Sequence, residues 1–580
     1  MHERIQILFF GFLLGLGLII LRLSYWQIVR TNELASAAQD QYLVRDVAPA
    51  TRGAIMTADG YPLVINQPVF SLGAYTPALV TSPTQIVEQV VPLLNLTLED
   101  PSIATDPAKA GLALEVLKSS LRSTMLERLT KGGYAVLARN LSVQEKTIIE
   151  SLNIPGLTFD PTFVREYPEA SMSAQLTGFV GRDDVGKAVG YFGLEGFYDR
   201  ELSGRDRVEK QEKDASGNPL LIGDFQLLPG RRGRDLKLFL ERGTQYLVEQ
   251  SLRDALLKYG AVSGEVIVID PSTGGILAMA SLPTYEPARF HLFDSSLYKN
   301  PAVANTYEPG STFKVLVMAA AFNEGAVKET DQCDICAAPY PIGKYTIQTW
   351  NNEYRPGATP EEIIVHSDNV GMVWTEQKLG GEKLLEYLKK FGLGQKTGID
   401  LQEEVASPLR STWGDIDYAT ASFGQGIAVT SIQMLAAVAS IANQGVLMEP
   451  HLVQSVRGDT EVSIPSKSRG EVVSPETATR ITDLMIQAVE QGEAKWAAPK
   501  GYTIAGKTGT AQIAVSGYYD AEKTIASFVG FAPAYNPRFV MLVKLREPQT
   551  SQWGSETAAP LWFSLAKKLL LHYNIPPDKK

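Results

Sequence analysis

GYTIAGKTGTAQ, residues 501–512, fits G-x-x-x-x-G-K-[ST] at Gly501, Gly506, Lys507 and Thr508. By pattern that is a phosphate-binding loop, and whether these residues form a loop or a strand decides what sheet the chain builds. A phosphate loop needs a buried strand before it, small residues within it and a helix after it, because backbone N–H groups and the helix N-terminus hold the phosphates. AKWAAPK precedes Gly501 with a proline and no apolar run; Tyr502, Thr503 and Ile504 favour strand, as does TAQIAV after Gly509. A metal-binding aspartate is also missing downstream, where FVMLV runs into Lys544, and VIVID, which does end in Asp270, lies far upstream in a hairpin signal. The stretch therefore reads as a strand.

Its surroundings predict the rest of an α+β domain. LKLFL is followed by the helical-period TQYLVEQSLRDALLKYG, and EVIVIDPSTGGILAMA places two β-rich runs around a Pro-Ser-Thr-Gly-Gly turn. TIASFVGFAP and PRFVMLVKL read as two further strands and LWFSLAKKLLLHY as a closing helix. Helix, hairpin, helix-rich middle, strands and final helix predict an antiparallel sheet flanked by helices, beginning at the Gly-, Pro- and Arg-rich PGRRGRD and assigned to 236–580. Residues 31–235 are mixed. They hold strand-like PLVI (62–65), amphipathic LALEVLKSSL (112–121) and a charged stretch from Gly204 to Asn218, and no cluster of catalytic residue types.

Composition agrees with a multidomain globular chain. At 580 residues, 44% hydrophobic and 20% charged, the chain suits two or three domains with cores of their own. A net charge of −10 without a Lys/Arg run argues against a nucleic-acid surface. The exception is the N-terminus, assigned as residues 1–30, where Ile5 to Leu23 is broken only by Gln6 and Arg22. Nineteen residues at ~1.5 Å each span ~28 Å as a helix, one hydrocarbon core. Bulky Leu23, Tyr25, Trp26 and Ile28 follow, and Ala35-Ser36-Ala37 lies far downstream, which favours an uncleaved anchor over a signal peptide. Tyr25 and Trp26 suit an interfacial belt, and Arg4 with the terminal amine favours an N-terminus inside and the bulk outside. Cys333 and Cys336 form one C-x-x-C; the five histidines offer no helical pair to complete a zinc site, and no βαβ context suggests redox work. A local disulfide and two free thiols stay open.

Three polar constellations carry chemistry. In YEPGSTFK, Ser311 and Lys314 stand three apart at the start of an apolar helical run, so they share a face and the amine can reach the hydroxyl. Alone, they read as an N-cap serine and a snorkelling lysine. In HSDNVGMVW, Ser367 and Asn369 precede another apolar segment, and alone they too read as a cap. Together with Lys507-Thr508-Gly509 they complete, in order, S-x-x-K, S-D-N and K-T-G, the signature of penicillin-binding proteins and class A β-lactamases.

On those motifs the chain resembles the class B penicillin-binding proteins, membrane-anchored transpeptidases of peptidoglycan synthesis. RGAIMTADGYPL (52–63), REYPEA (165–170) and GYFGLEGFYDRELSG (190–204) resemble the family's elongated, non-catalytic pedestal, the dimerisation-type domain, which assigns 31–235 to it. GEVIVIDPSTGGILAMASLPTYEP (264–287), ATASFGQGIAVTSIQM (419–434) and SFVGFAPAYNPR (527–538) are similar to parts of its catalytic domain. YEPGSTFK and SDNVGM look like the septal, division-specific branch; LFLE (238–241) and WGSE (553–556) depart from the family pattern.

The resemblance implies a serine acyl-enzyme formed on D-Ala-D-Ala. Ser311 would be the nucleophile and Lys314 its base, its pKa lowered by burial and by Lys507. Ser367 would relay the proton to the departing amine and Asn369 would hold the substrate's peptide amide. Backbone amides of Ser311 and Thr510 would form the oxyanion hole; Thr508 and Thr510 would bind the terminal carboxylate, with Gly509 letting the substrate backbone approach. No metal or cofactor is required. The implied partners are donor and acceptor stem peptides, β-lactams, a SEDS-type polytopic glycosyltransferase and other division proteins. A β-lactamase or D,D-carboxypeptidase, and a β-lactam sensor or scaffold without turnover, remain as alternatives. A bifunctional enzyme with E-D-x-x-F-x-x-H does not, since no histidine lies between His2 and His291.

Overall fold

The computed structural model of the chain describes residues 2–34, 43–98, 107–184, 186–212, 225–515 and 518–579. Ala35-Ser36-Ala37 and residues 213–218 of the charged stretch lie outside the described residues. The chain divides into two compact units, Met1–Arg52 with Ser203–Gly233 and Gly53–Leu202 with Arg234–Lys580.

The first unit contains the apolar N-terminal helix, His2–Ser24, which runs on through a π-helical turn at Tyr25–Val29 without burying one residue. Among the described residues this helix is long and apolar enough to cross a membrane. The guanidinium carbons of Arg22 and Arg30 lie 5.2 and 5.1 Å from the Trp26 ring centroid, an aromatic and cationic collar at the end of the apolar run. The same unit holds a three-stranded antiparallel sheet with Arg207–Glu212 between Leu43–Ala48 and Phe225–Leu228.

Within the second unit a seven-stranded sheet joins chain-distant segments. Asp235–Leu238 pairs with Val453–Arg457 on one side and, in parallel, with Ile55–Met56 on the other. The long strand Pro62–Tyr75, which contains PLVI, pairs with Ile55–Met56, Tyr134–Leu141 and Leu157–Glu166. Two of the quoted motifs meet here: Arg165 pairs with Glu195 at 2.8 Å, both side chains buried, and its remaining donors reach the Gly53 carbonyl and Asn66 Oδ1. A buried charge needs such complete satisfaction, since desolvating it otherwise costs several kcal/mol.

The sheet that carries the 501–512 stretch is built between two helical layers. Its elements are α1 (Arg242–Tyr259), β1 (Ser263–Ile269), β2 (Ile276–Leu282), α2 (Lys314–Asn323), α3 (Asn369–Leu379), α4 (Ser431–Ala442), α5 (Pro475–Glu490), β3 (Ala505–Val515), β4 (Tyr518–Ala532), β5 (Phe539–Arg546) and α6 (Ala558–His572). The strand order is β2-β1-β5-β4-β3, antiparallel throughout, with β3 at the edge. Alternate residues enter opposite cores: Val266, Val268, Phe528 and Val543 pack with α1 and α6, while Ile267, Ile269, Val529 and Leu542 face the helix-rich middle. Covering both faces explains why 266–269 of β1 and 539–543 of β5 are unbroken apolar runs. Trp562, fully buried, satisfies its indole N–H on the Met541 carbonyl at 2.7 Å.

The glycines that complete the phosphate-loop pattern serve other ends. Gly501 has φ +87°, and at Gly506 a Cβ would stand 2.5 Å from Phe528 Cζ. No helix follows Lys507; the chain continues as β3. Lys544, where FVMLV ends, pairs with Glu265 across β5 and β1 at 2.7 Å, and the Ser431 hydroxyl donates to Glu265 at 2.6 Å and accepts from Lys544 at 2.9 Å. Cys333 and Cys336 are joined in a buried disulfide, which resolves the open choice at C-x-x-C.

Candidate active site

The turn that carries Ser311 is made by glycine. Gly310 has φ +57°, and a Cβ there would stand 2.9 Å from the Thr510 carbonyl oxygen. Gly424 of SFGQG backs it, with Gly310 N–H donating to the Gly424 carbonyl at 3.0 Å. The chain then makes a 3₁₀ turn at Gly310–Phe313 and enters α2 at Lys314, so Ser311 lies in the first turn without capping it. Apolar α2 is buried along almost its whole length, which carries Lys314 into the interior.

Lys314 is 0% exposed, and its Nζ reaches the Ser367 carbonyl at 2.6 Å, Ser367 Oγ at 3.2 Å and Asn369 Oδ1 at 2.8 Å. Among the described residues no hydrogen bond joins it to Ser311, whose hydroxyl opens into the cleft. A neutral amine has two N–H donors and one lone pair. The two carbonyl-type acceptors take the donors, which leaves the lone pair for a hydroxyl proton. Burial, and then repulsion from Lys507, holds Lys314 well below the ordinary lysine value; Asp368 and Glu493 pull the other way.

The second motif places its residues by a tight turn. Ser367 has φ +56°, and the cap of α3 is Asp368, which accepts from the N–H groups of Val370 and Gly371 at 2.8 and 3.1 Å. Ser367 and Asn369 are thereby free of capping and turn towards Lys314. Asn369 also donates Nδ2 to the Gln348 carbonyl at 3.0 Å, so both ends of its amide are engaged within the protein and orient the lysine.

Lys507 is buried on β3, with Nζ 3.3 Å from the Thr508 carbonyl and 3.2 Å from Thr508 Oγ1; desolvation lowers its pKa to about 8 against the pull of Glu493. Thr508 and Thr510 line the cleft beside Ser311, Ser367 and Asn369. Thr510 Oγ1 accepts from the Gly554 N–H at 3.0 Å, leaving its own proton for the cleft. The close approach that excludes a side chain at Gly509 is made by the protein itself: a Cβ would meet Ser527 Oγ at 2.6 Å and Thr312 Cγ2 at 2.8 Å. Gly509 thus lets the Ser311 turn lie against β3. Gly554, in the divergent WGSE, presses on it from the other side, 2.3 Å from the Gly509 carbonyl by the same measure.

The cleft holds about 480 Å³ and has walls that no motif announced. Trp350 and Trp553 meet edge to face at 5.2 Å, and Phe423, Gln425 and Glu493 complete the rim. Phe423 and Gln425 belong to the quoted SFGQG; Trp350 and Glu493 had no local signal. The arrangement pairs an accessible hydroxyl with a buried, deprotonable amine, a proton-carrying serine and a cationic strand edge, which is the equipment for acyl transfer through serine.

The chain is similar to known proteins over nearly its whole length. Residues 264–570 match the penicillin binding protein transpeptidase domain and residues 47–238 the penicillin-binding protein dimerisation domain. The chain is 32% identical to stage V sporulation protein D of Bacillus subtilis over 99% of its own length and 86% of that protein's. It is 28% identical to peptidoglycan D,D-transpeptidase FtsI of Escherichia coli over 98% and 91%. A peptidoglycan synthetase from Bifidobacterium adolescentis superposes with a TM-score of 0.71 at 25% identity, covering 93% of this chain and 98% of that one. With both domain types matched in order and the cleft built from S-x-x-K, S-D-N and K-T-G, the chain belongs to the penicillin-binding protein transpeptidase family.

Proposed function

We propose that the chain is a membrane-anchored peptidoglycan D,D-transpeptidase whose nucleophile is Ser311. The observation that carries this reading is the buried Lys314 amine, held by Ser367 and Asn369 one helical turn from a hydroxyl that opens into the cleft. Neutral Lys314 takes the Ser311 proton as Oγ attacks the penultimate D-Ala carbonyl. Amides of Ser311 and Thr510 receive the oxyanion, each donor contributing about 3 kcal/mol. Thr508 and Thr510 bind the donor's terminal carboxylate near the Lys507 charge. The proton passes through Ser367 to the departing D-Ala amine, and an amine of a second stem peptide then attacks the Ser311 ester.

The apolar helix is the single anchor in the cell membrane, with the N-terminus cytoplasmic and the catalytic domain outside. Residues 31–235 serve as the pedestal, and with the anchor they offer the contacts for a SEDS-type glycosyltransferase and other division proteins. Septal wall synthesis is the role favoured by YEPGSTFK, SDNVGM and the similarity to FtsI. Spore-associated synthesis is a second reading, favoured by the 32% identity to a sporulation protein.

The test is fluorescent-penicillin labelling of membranes containing wild type and Ser311→Ala. Label on the wild type alone is expected, and label that survives the substitution overturns the nucleophile. Rapid loss of label from the wild type identifies a β-lactamase instead. Transfer of the acyl group of a D-Ala-type thioester to an added D-amino acid separates turnover from sensing.

A further inference from the structure

Among the described residues that line the cleft, Glu493 is the only charged side chain. It stands in the turn after α5, exposed, and among the described residues its carboxylate has no hydrogen-bond or ion-pair partner. The turn is pinned beside the second motif: a Cβ on the neighbouring Gly492 would lie 2.2 Å from the Ala488 carbonyl oxygen and 3.3 Å from that of Val365, two residues before Ser367. Glu493 therefore lines the cleft from a turn that packs beside the second motif, opposite in sign to Lys507 and Lys314, whose protonated forms it favours.

A free carboxylate there is poorly suited to the donor peptide, whose own terminal carboxylate it would repel. It suits a cation. In transpeptidation the departing and the attacking amine must occupy the same place, because the second half-reaction is the first run backwards with a different amine. That place is beside Ser367, and in neutral water an acceptor amine arrives as an ammonium. We propose that Glu493 is the docking carboxylate for the acceptor ammonium, selecting amines that are remote from a carboxylate of their own. This rests on the transpeptidase reading. In the step itself the new N–C bond forms as the Ser311 Oγ–C bond breaks. Of the two protons the ammonium loses, one is released to solvent and one returns, through Lys314 or Ser367, to Ser311 Oγ.

The test uses the full chain in detergent, an N-acyl-D-alanyl thioester as donor, and two competing nucleophiles. Nα-acetyl-lysinamide carries an ammonium and no carboxylate; hydroxylamine is uncharged at neutral pH. For each, the ratio of aminolysis to hydrolysis is measured, which cancels any change in acylation. Glu493→Gln is expected to lower the ratio for Nα-acetyl-lysinamide roughly fivefold or more, relative to that for hydroxylamine, and Glu493→Asp to restore most of it. An equal fall for both nucleophiles, or no fall for either, overturns the docking role. Failure of the wild type to form any acyl-enzyme is a distinct result, which removes the transpeptidase reading and this inference with it.

Discussion

Replacing Lys507 by methionine is expected to make the folded chain more stable while removing its acylation. Burial holds Lys507 at about 8 against an ordinary 10.5. At ~1.36 kcal/mol per pH unit, the folded state therefore carries a cost of about 3 kcal/mol at pH 7 for keeping this cation. Because the folded pKa of a base is lowered, the cost is complete below about pH 8 and fades as pH rises towards 10.5. Methionine fills similar space without the charge and forfeits the contacts to Thr508, which are worth about 1 kcal/mol. The net gain is about 2 kcal/mol at pH 7 and near zero at pH 9.5. Urea unfolding of the detergent-solubilised chain, followed by tryptophan fluorescence at both pH values, measures it; penicillin acylation, losing its cationic strand edge, should fall about 10²-fold or more. A variant less stable than wild type at pH 7, or a gap that does not shrink with pH, would refute the idea that Lys507 is a strained cation.

Other outcomes follow from the same geometry. The acylation rate constant should rise with pH as Lys314 becomes neutral, at a pH well below an ordinary lysine's, and fall again near pH 8 as Lys507 loses its charge; a profile flat from pH 6 to 9 contradicts both assignments. Glu195→Ala should destabilise the second unit by about 3–5 kcal/mol by stranding Arg165, and pairing it with Arg165→Met should recover much of that loss, as denaturation midpoints would reveal. Gly509→Ala forces a methyl group against Ser527 and Thr312, so it should cost about 1–3 kcal/mol and slow labelling by prising the Ser311 turn from β3. Labelling at the wild-type rate would show that this contact is slack.

How much was legible beforehand depended on how local each signal was. The strands TIASFVGFAP and PRFVMLVKL, the helices TQYLVEQSLRDALLKYG and LWFSLAKKLLLHY, and the edge strand 505–515 followed from apolar runs and propensity within a dozen residues. The three motifs were legible because each is a contiguous tripeptide or tetrapeptide. Nothing contiguous marks Glu493 or Trp350, which enter the cleft from a turn after α5 and from the loop before the helix Pro360–Val365. Lys314 Nζ and the Gln348 carbonyl engage Asn369 at Oδ1 and Nδ2, contacts that no contiguous pattern reports.

The sequence by itself determined the length of the apolar N-terminal helix, the apolar runs that become β1 and β5, and the residue types available for acyl transfer. These are properties of neighbouring residues and of how each partitions between water and apolar surroundings. Only the tertiary structure decided that Lys314 spends its N–H donors on Ser367 and Asn369, that Gly509 makes room for Thr312, and that the Glu493 carboxylate, unpaired among the described residues, lines the same cleft. Those outcomes depend on burial and on contacts between residues far apart in the chain, which bring together charges and carbonyls that no local pattern relates.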